Sequence, residues 1–189
     1  MLHFPKKSFL EYSRSKRIAR EELRQKVEEL RKEKKSIVTI NGSFDLLHAG
    51  HLHMLYEASL QGDLLLVALN TDNSIKQYKS SKRPIIALEE RMQMMTALSF
   101  VDYVTSFEET DPCALLSVIQ PDVHVNGSEY GLECIEAKTV REGGGRLHIV
   151  ELIPGLSTSQ IVKKIICSFQ LNGTHSDQSQ LGAIELEGV

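Results

Sequence analysis

Short apolar runs alternate with stretches in which apolar residues recur every three or four positions, and this alternation organises most of the chain. The runs Ile37–Ile40, Leu64–Leu69, Val101–Phe107, Val123–Val125 and Leu147–Leu152 predict strands, being near-continuously aliphatic or β-branched and bounded by turn-forming residues. Between them, periodic segments at about 48–60, 72–79, 88–99, 112–119 and 132–142 predict helices, with a last one near 158–170. Strands apolar on both faces, each followed by a helix, predict an α/β fold: a Rossmann-like, doubly wound, parallel five-stranded sheet with helices on both faces. Ahead of the sheet, Leu23, Val27 and Leu30 form an apolar stripe at helical spacing inside "REELRQKVEELRKEKK". Residues 1–35 are therefore expected to be a basic helical extension, 36–170 the main domain, and the polar, aperiodic segment 171–189 a disordered tail.

In open α/β sheets ligands bind beyond the carboxyl ends of the strands. Five loops fall on that rim: "NGSFD", "NTDNS", "EETDP", "NGSEYG" and "PGLSTSQ". Turn chemistry alone explains any one of them. Their joint position favours a polar ligand.

Composition narrows the classes. With 189 residues, 41 % of them hydrophobic, the chain can bury one core of ordinary size. The longest apolar run is far too short to span a bilayer, and the N-terminus lacks the apolar centre of a secretory signal. Cys113, Cys134 and Cys167 are scattered and odd in number, which suits reduced thiols. A cytoplasmic protein with no membrane contact is expected. Residues 1–35 carry 12 Lys and Arg against 6 Asp and Glu, the remainder 10 against 19, so a head of +6 precedes a body of −9. A basic head can contact nucleic acid or membrane, but the apolar stripe amid mixed charges equally describes a surface helix docked on a domain or on a partner subunit. Aromatics are 6 % of the chain and none interleaves the basic run, so no nucleic-acid partner is expected.

The chemistry is concentrated in "NGSFDLLHAGHLHML", 41–55. His48 and His51, three residues apart at a helix start, project from one face where unpaired N–H groups and the helix dipole already favour an anion. Gly50 removes a side chain between them and Gly42 does the same at the end of the first strand, so a base or phosphate can approach the backbone. An H-x-x-H pair supplies only two metal ligands, and no third His or Cys stands at ligand spacing, so no protein-held metal is expected. His53 falls on another face. "EGGGR", 142–146, precedes a strand rather than a helix and reads as a turn.

"GSFDLLHAGH" resembles the H-x-G-H signature of the nucleotidyltransferase superfamily, cytidylyltransferase-like branch, and "GLSTSQI" is similar to that branch's second signature, usually I-S-T-T-K-I. The resemblance runs from about Ser36 to Ile165. "LVALNTD", "SKRPIIALEERM", "VDYVTSFEETDP" and "PDVHVNGSEY" are similar to heptose 1-phosphate adenylyltransferases, the nucleotidyltransferase half of ADP-heptose synthases. In many bacteria that half is fused to a sugar kinase, and the free-standing form is what this sequence resembles. The resemblance implies an enzyme that transfers AMP from ATP to D-glycero-β-D-manno-heptose 1-phosphate, giving ADP-heptose for lipopolysaccharide or related glycans, and pyrophosphate. A CTP-dependent enzyme acting on glycerol 3-phosphate or a similar small phosphate, and a non-catalytic nucleotide-binding module, remain the alternatives.

The same resemblance implies the roles of individual residues. His48, His51, Lys79 and Arg91 would be catalytic, the histidines on the triphosphate and transition-state oxygens, and Lys79 and Arg83 in a basic lid, "KQYKSSKRP", that otherwise reads as a solvated loop. Gly42, Ser43, Phe44, Gly50, Gly127, Ser157, Thr158 and Ser159 would line the nucleotide. Asp45, Asp72 and Arg83 would face the acceptor. From the residues alone, Arg91 also fits an exposed helix cation paired with a Glu of its own helix, and Asp72, Ser157 or Thr158 a helix cap. Two successive hydroxyls at a helix N-terminus also make a phosphate cradle. Ser43, Ser128, Glu129, Ser159 and Gln160 depart from the family's usual residues. Mg²⁺ arriving with the triphosphate, and a homodimer, are further implied.

Overall fold

The computed structural model describes residues 7–170, so the predicted tail 171–189 lies outside the described residues. Strands β1 (Ile37–Gly42), β2 (Leu64–Asn70), β3 (Tyr103–Phe107), β4 (Val123–Gly127) and β5 (Arg146–Val150) form one parallel sheet in the order β3-β2-β1-β4-β5. Helices α3 (Ala49–Ser59), α4 (Asp72–Tyr78), α5 (Leu88–Ala97), α6 (Cys113–Ile119), α7 (Ala137–Glu142) and α8 (Thr158–Gln170) follow the strands, as the alternating pattern predicts. No helix among the described residues is long and apolar enough to cross a membrane.

The strands read as continuous apolar runs because both faces of the sheet are covered. Val38, Ile40, Leu65, Val67, Leu69, Val123 and Val125 pack on one side with Leu55 of α3 and Met95 of α5. Ile37, Leu66 and Ala68 pack on the other with Leu115 and Ile119 of α6. From β1 the chain winds outward through β2 and β3, then returns to place β4 on β1's other side. The crevice beyond β1 and β4 is therefore the topological switch point, where such sheets take their ligands.

The basic head is helical and docks on the sheet. It forms two helices, α1 (Phe9–Ser15) and α2 (Leu23–Lys32), and the stripe Leu23, Val27, Leu30 is buried in the same core cluster as Ile37 and Leu66. Residues 16–18 reach the free side of β3: the Ile18 N–H donates to the Val104 carbonyl and the Val104 N–H to the Lys16 carbonyl, both at 2.9 Å. The head's positive charge meets the body's negative charge, with Arg17 on Glu89 at 2.6 Å, Arg20 on Glu109 at 3.3 Å and Arg31 on Asp122 at 3.9 Å. Helix α1 starts at a capping box in which Ser8 and Glu11 satisfy each other's backbone N–H. The helix expected over 132–142 begins only at Ala137, because 128–136 is a chain of turns held by the Tyr130 N–H on the Gly127 carbonyl and a left-handed Gly131.

Candidate functional site

The end of β1 turns sharply. Phe44 adopts a left-handed φ of +43° with its ring buried against the core, and a Cβ on Gly42 would meet that ring at 3.1 Å. Gly42 is thus a packing requirement of the turn that presents Ser43. His48 then caps α3: its Nδ1 accepts the His51 N–H at 3.3 Å. The first-turn N–H groups of Ala49 and Gly50 have no partner within the helix and point toward the rim.

The His48 and His51 rings stack at 3.8 Å between centroids, and Phe44 packs edge-on against His51 at 5.1 Å. Burial, then the neighbouring His48 and the Lys79 ammonium, pull His51 down to about 4, while burial lowers His48 as well. Both imidazoles are consequently neutral near pH 7, and the capping bond leaves the His48 proton on Nε2. The buried Nδ1 of His51 has no hydrogen-bond partner among the described residues.

The second signature comes to the first. A Cβ on Gly50 would stand 3.0 Å from the Leu156 carbonyl oxygen and 3.1 Å from the His48 ring, so the loop before α8 rests on the glycine between the two histidines. Ser157 caps α8, its Oγ accepting the Gln160 N–H at 3.3 Å, with Thr158 opening the helix and Ser159 exposed beside it. Two helix N-termini thus meet at the rim.

On the β2 side, Lys79 donates from Nζ to the Ser43 Oγ at 3.2 Å. Partial withdrawal from water, and then the Arg83 charge, lower the Lys79 ammonium from its ordinary value, with Asp45 opposing. Asp45 is buried, and its carboxylate is fully engaged: Oδ2 takes Arg83 at 2.7 Å and Oδ1 takes the Ile85 and Ile86 N–H groups at 2.8 and 2.9 Å. Asp45 and Arg83 therefore clasp the basic loop onto the β1 turn.

Arg91 is a correction to the exposed-cation expectation. It is 0 % exposed, because its guanidinium bridges the ends of two strands: Nη1 donates to the Ser43 carbonyl at 2.6 Å, Nη2 to the Asn70 carbonyl at 2.9 Å and to Asp72 Oδ1 at 2.7 Å, and Nε to the Ile86 carbonyl at 3.0 Å. Asp72 opens α4 one residue after its cap, Thr71, and holds Arg91. On the β4 side Gly127 is buried beneath its own loop, where a Cβ would lie 2.1 Å from the Glu129 carboxylate. The structure thus brings together His48, His51, Gly50, Ser157, Ser43 and Lys79 around one crevice, with Gly127 across it, and sets Arg91, Asp45, Asp72 and Arg83 as its frame. Asn70 and Tyr78 went unread in the sequence. Tyr78 donates its O–H to Asn70 Oδ1 at 3.4 Å, and only its position beside Lys79 could have singled it out.

No group of three or more His, Cys, Asp or Glu able to hold a metal occurs among the described residues. The carboxylates nearest the histidines are bound by arginines and backbone N–H groups, a donor set that suits a magnesium ion carried in by phosphate oxygens rather than one caged by protein.

A family model described as cytidylyltransferase-like matches residues 39–168. The chain is 40 % identical over 162 residues to the bifunctional protein HldE of Syntrophotalea carbinolica, covering 85 % of this chain and 33 % of that protein. It is 44 % identical over 146 residues to the bifunctional protein HldE of Salmonella newport, covering 77 % and 31 %. The chain spans about a third of the length of these curated relatives. Among solved structures, it resembles the lipopolysaccharide core biosynthesis protein from Thermoplasma volcanium at 28 % identity and a TM-score of 0.52, over 63 % of this chain and 97 % of that one.

Proposed function

The chain belongs to the cytidylyltransferase-like family, and from that premise we propose that it transfers AMP from ATP to D-glycero-β-D-manno-heptose 1-phosphate, releasing pyrophosphate. The observation that carries this reading is the stacked, neutral His48/His51 pair at the N-terminus of α3, with the loop before α8 resting on the glycine between them. The adenylyltransferase-like segments named above, and relatives described as bifunctional of which this chain spans about a third, support the heptose branch.

The reaction needs positioning and charge stabilisation more than covalent chemistry. The acceptor's phosphate oxygen attacks the α-phosphorus, the α–β bridging bond breaks, and pyrophosphate leaves in line. The His48 Nε2–H and the free N–H groups of α3 donate to triphosphate oxygens, and neutral donors avoid trapping the product anion as a fixed cation would. His51, stacked beneath, holds the His48 ring and offers its own second nitrogen. Lys79, beside Ser43, stabilises charge on the transferring phosphoryl group, with Asp45 opposing the burial and the Arg83 charge that lower its ammonium. Ser157 and the N-terminus of α8 hold the departing pyrophosphate. Magnesium, when bound with the triphosphate, neutralises charge on its outer phosphates.

The exposed apolar residues Leu52 and Tyr56 on α3, Leu60 at its C-cap, and Ile165 and Phe169 on α8 support assembly as a homodimer. A cytoplasmic setting completes the reading. Its test is pyrophosphate release from heptose 1-phosphate with ATP and with CTP, each with Mg²⁺. Turnover with ATP is expected; turnover with CTP alone would move the enzyme to the cytidylyltransferase alternative.

A further inference from the structure

Tyr78 is the last residue of α4 and stands 42 % exposed. Its hydroxyl is tethered to Asn70 at the end of β2, and it lies beside the Ser43 hydroxyl at the end of β1. Lys79 Nζ lies over one side of the ring, 5.6 Å from its centroid, while bonded to that same Ser43, which leaves the other side for a ligand. The ring is therefore held at its polar edge, beside the phosphoryl-transfer centre. Across the crevice, Tyr130 on the loop after β4 is 62 % exposed and close enough for its phenol to weigh on that of Tyr78.

In-line transfer divides the crevice. Pyrophosphate leaves on the side of α3 and α8, where His48, Gly50 and the loop to Ser157 converge, so the attacking oxygen enters from the opposite side. That side is the rim over β1 and β2. Tyr78 is the aromatic side chain half open to water there, with the Lys79 cation against its ring. An aromatic face beside a cation suits a ring bearing an anionic phosphate: the apolar C–H face of a pyranose lies on the π-surface and its phosphate turns toward the ammonium. A purine would satisfy the ring alone, but would leave the base on the attacking side of its own α-phosphorus.

We propose that Tyr78 is a specificity-determining residue, a platform for the sugar ring of the acceptor that selects a pyranosyl phosphate over a short acyclic one. The inference rests on the reading of the site as transfer to a sugar phosphate and names the residue that recognises the sugar.

The test compares Tyr78→Phe, Tyr78→Leu and Tyr78→Ala in steady-state pyrophosphate release with heptose 1-phosphate and ATP. The Phe variant keeps the platform and should hold KM for the sugar phosphate within about twofold, whereas Leu and Ala should raise it about tenfold with KM for ATP unchanged. A Leu variant indistinguishable from Phe would show that bulk alone matters and overturn the proposal. An equal rise in KM for ATP would place the ring under the nucleotide and overturn it too. Direct binding supplies the second readout: the chain has 5 Tyr and 0 Trp, so heptose 1-phosphate titrated into wild type and the Leu variant can be followed by tyrosine difference absorbance. A saturable change in wild type, weakened in the Leu variant, supports the platform even if neither triphosphate turns over, an outcome that would sink the adenylyltransferase reading alone. No change in wild type at saturating sugar phosphate would overturn the platform.

Discussion

Replacing Arg91 by leucine separates two roles for this arginine. If it binds phosphate, the folded protein should tolerate its loss and only nucleotide affinity should fall. The structure places four hydrogen bonds on the buried guanidinium, three to backbone carbonyls and one to Asp72. Hydrogen bonds from a charged group contribute about 1.5–3 kcal/mol each, but they are not additive here, since one guanidinium makes all four. Removing one partner of a buried charged pair costs about 3–5 kcal/mol, and the Asp72 side chain is 35 % exposed, which favours the lower half of that range, about 3–4 kcal/mol. For a chain of this size that lowers Tm by roughly 6–16 °C. Arg91→Lys keeps the charge but not the fork, which cannot span two strand ends, and should still lose several degrees. Differential scanning fluorimetry and urea melts, run beside turnover, decide the matter. A Leu variant melting within about 2 °C of wild type, with KM for ATP raised, would refute the framing role and return Arg91 to the phosphates.

Two further outcomes follow from the histidines. His48→Asn retains a good helix cap, so Tm should hold, while turnover falls about 10²- to 10³-fold for loss of a transition-state donor; His48→Ala should lose the same activity plus about 1 kcal/mol of stability, read in the same melts. His51 and the buried His124, the latter bonded through Nδ1 to Thr39, both lie near 4 against 6.5 unperturbed. Between those values the unfolded chain binds more protons than the folded one, so stability is complete above about pH 6.5 and declines as pH falls toward 4. Melts at stepped pH should show that decline; a Tm that stays constant from pH 6.5 down to 4 would contradict the neutral, buried His51.

How much of this was legible in the sequence depends on how local the cause was. The strands were, because burial on both faces makes their apolar runs nearly continuous, and the His48/His51 pair was, because helical spacing alone sets two side chains on one face. Helix α1 was missed although its capping pair, Ser8 and Glu11, stands three residues apart in plain view; seven residues carry too little period to register. The destinations of Asp45, Arg83 and Arg91 were not legible, since all their partners but the Ile86 carbonyl are backbone groups or charges that the fold delivers from 19 to 48 positions away. Nor could the periodicity of α2 say that its stripe would meet Ile37 and Leu66 of the same chain rather than a partner.

The attachment of residues 16–18 to β3 has a consequence for the making of the protein. A bare edge strand offers a row of unpaired donors and acceptors to any neighbouring chain, and folding intermediates with such edges aggregate. Here the guard precedes the strand it covers by more than eighty residues, so during synthesis it has already left the ribosome when Val104 emerges. The Thr105 hydroxyl, bonded to the Ile18 carbonyl at 2.9 Å, adds a side-chain latch to the two backbone bonds. The strand is born with its cover waiting.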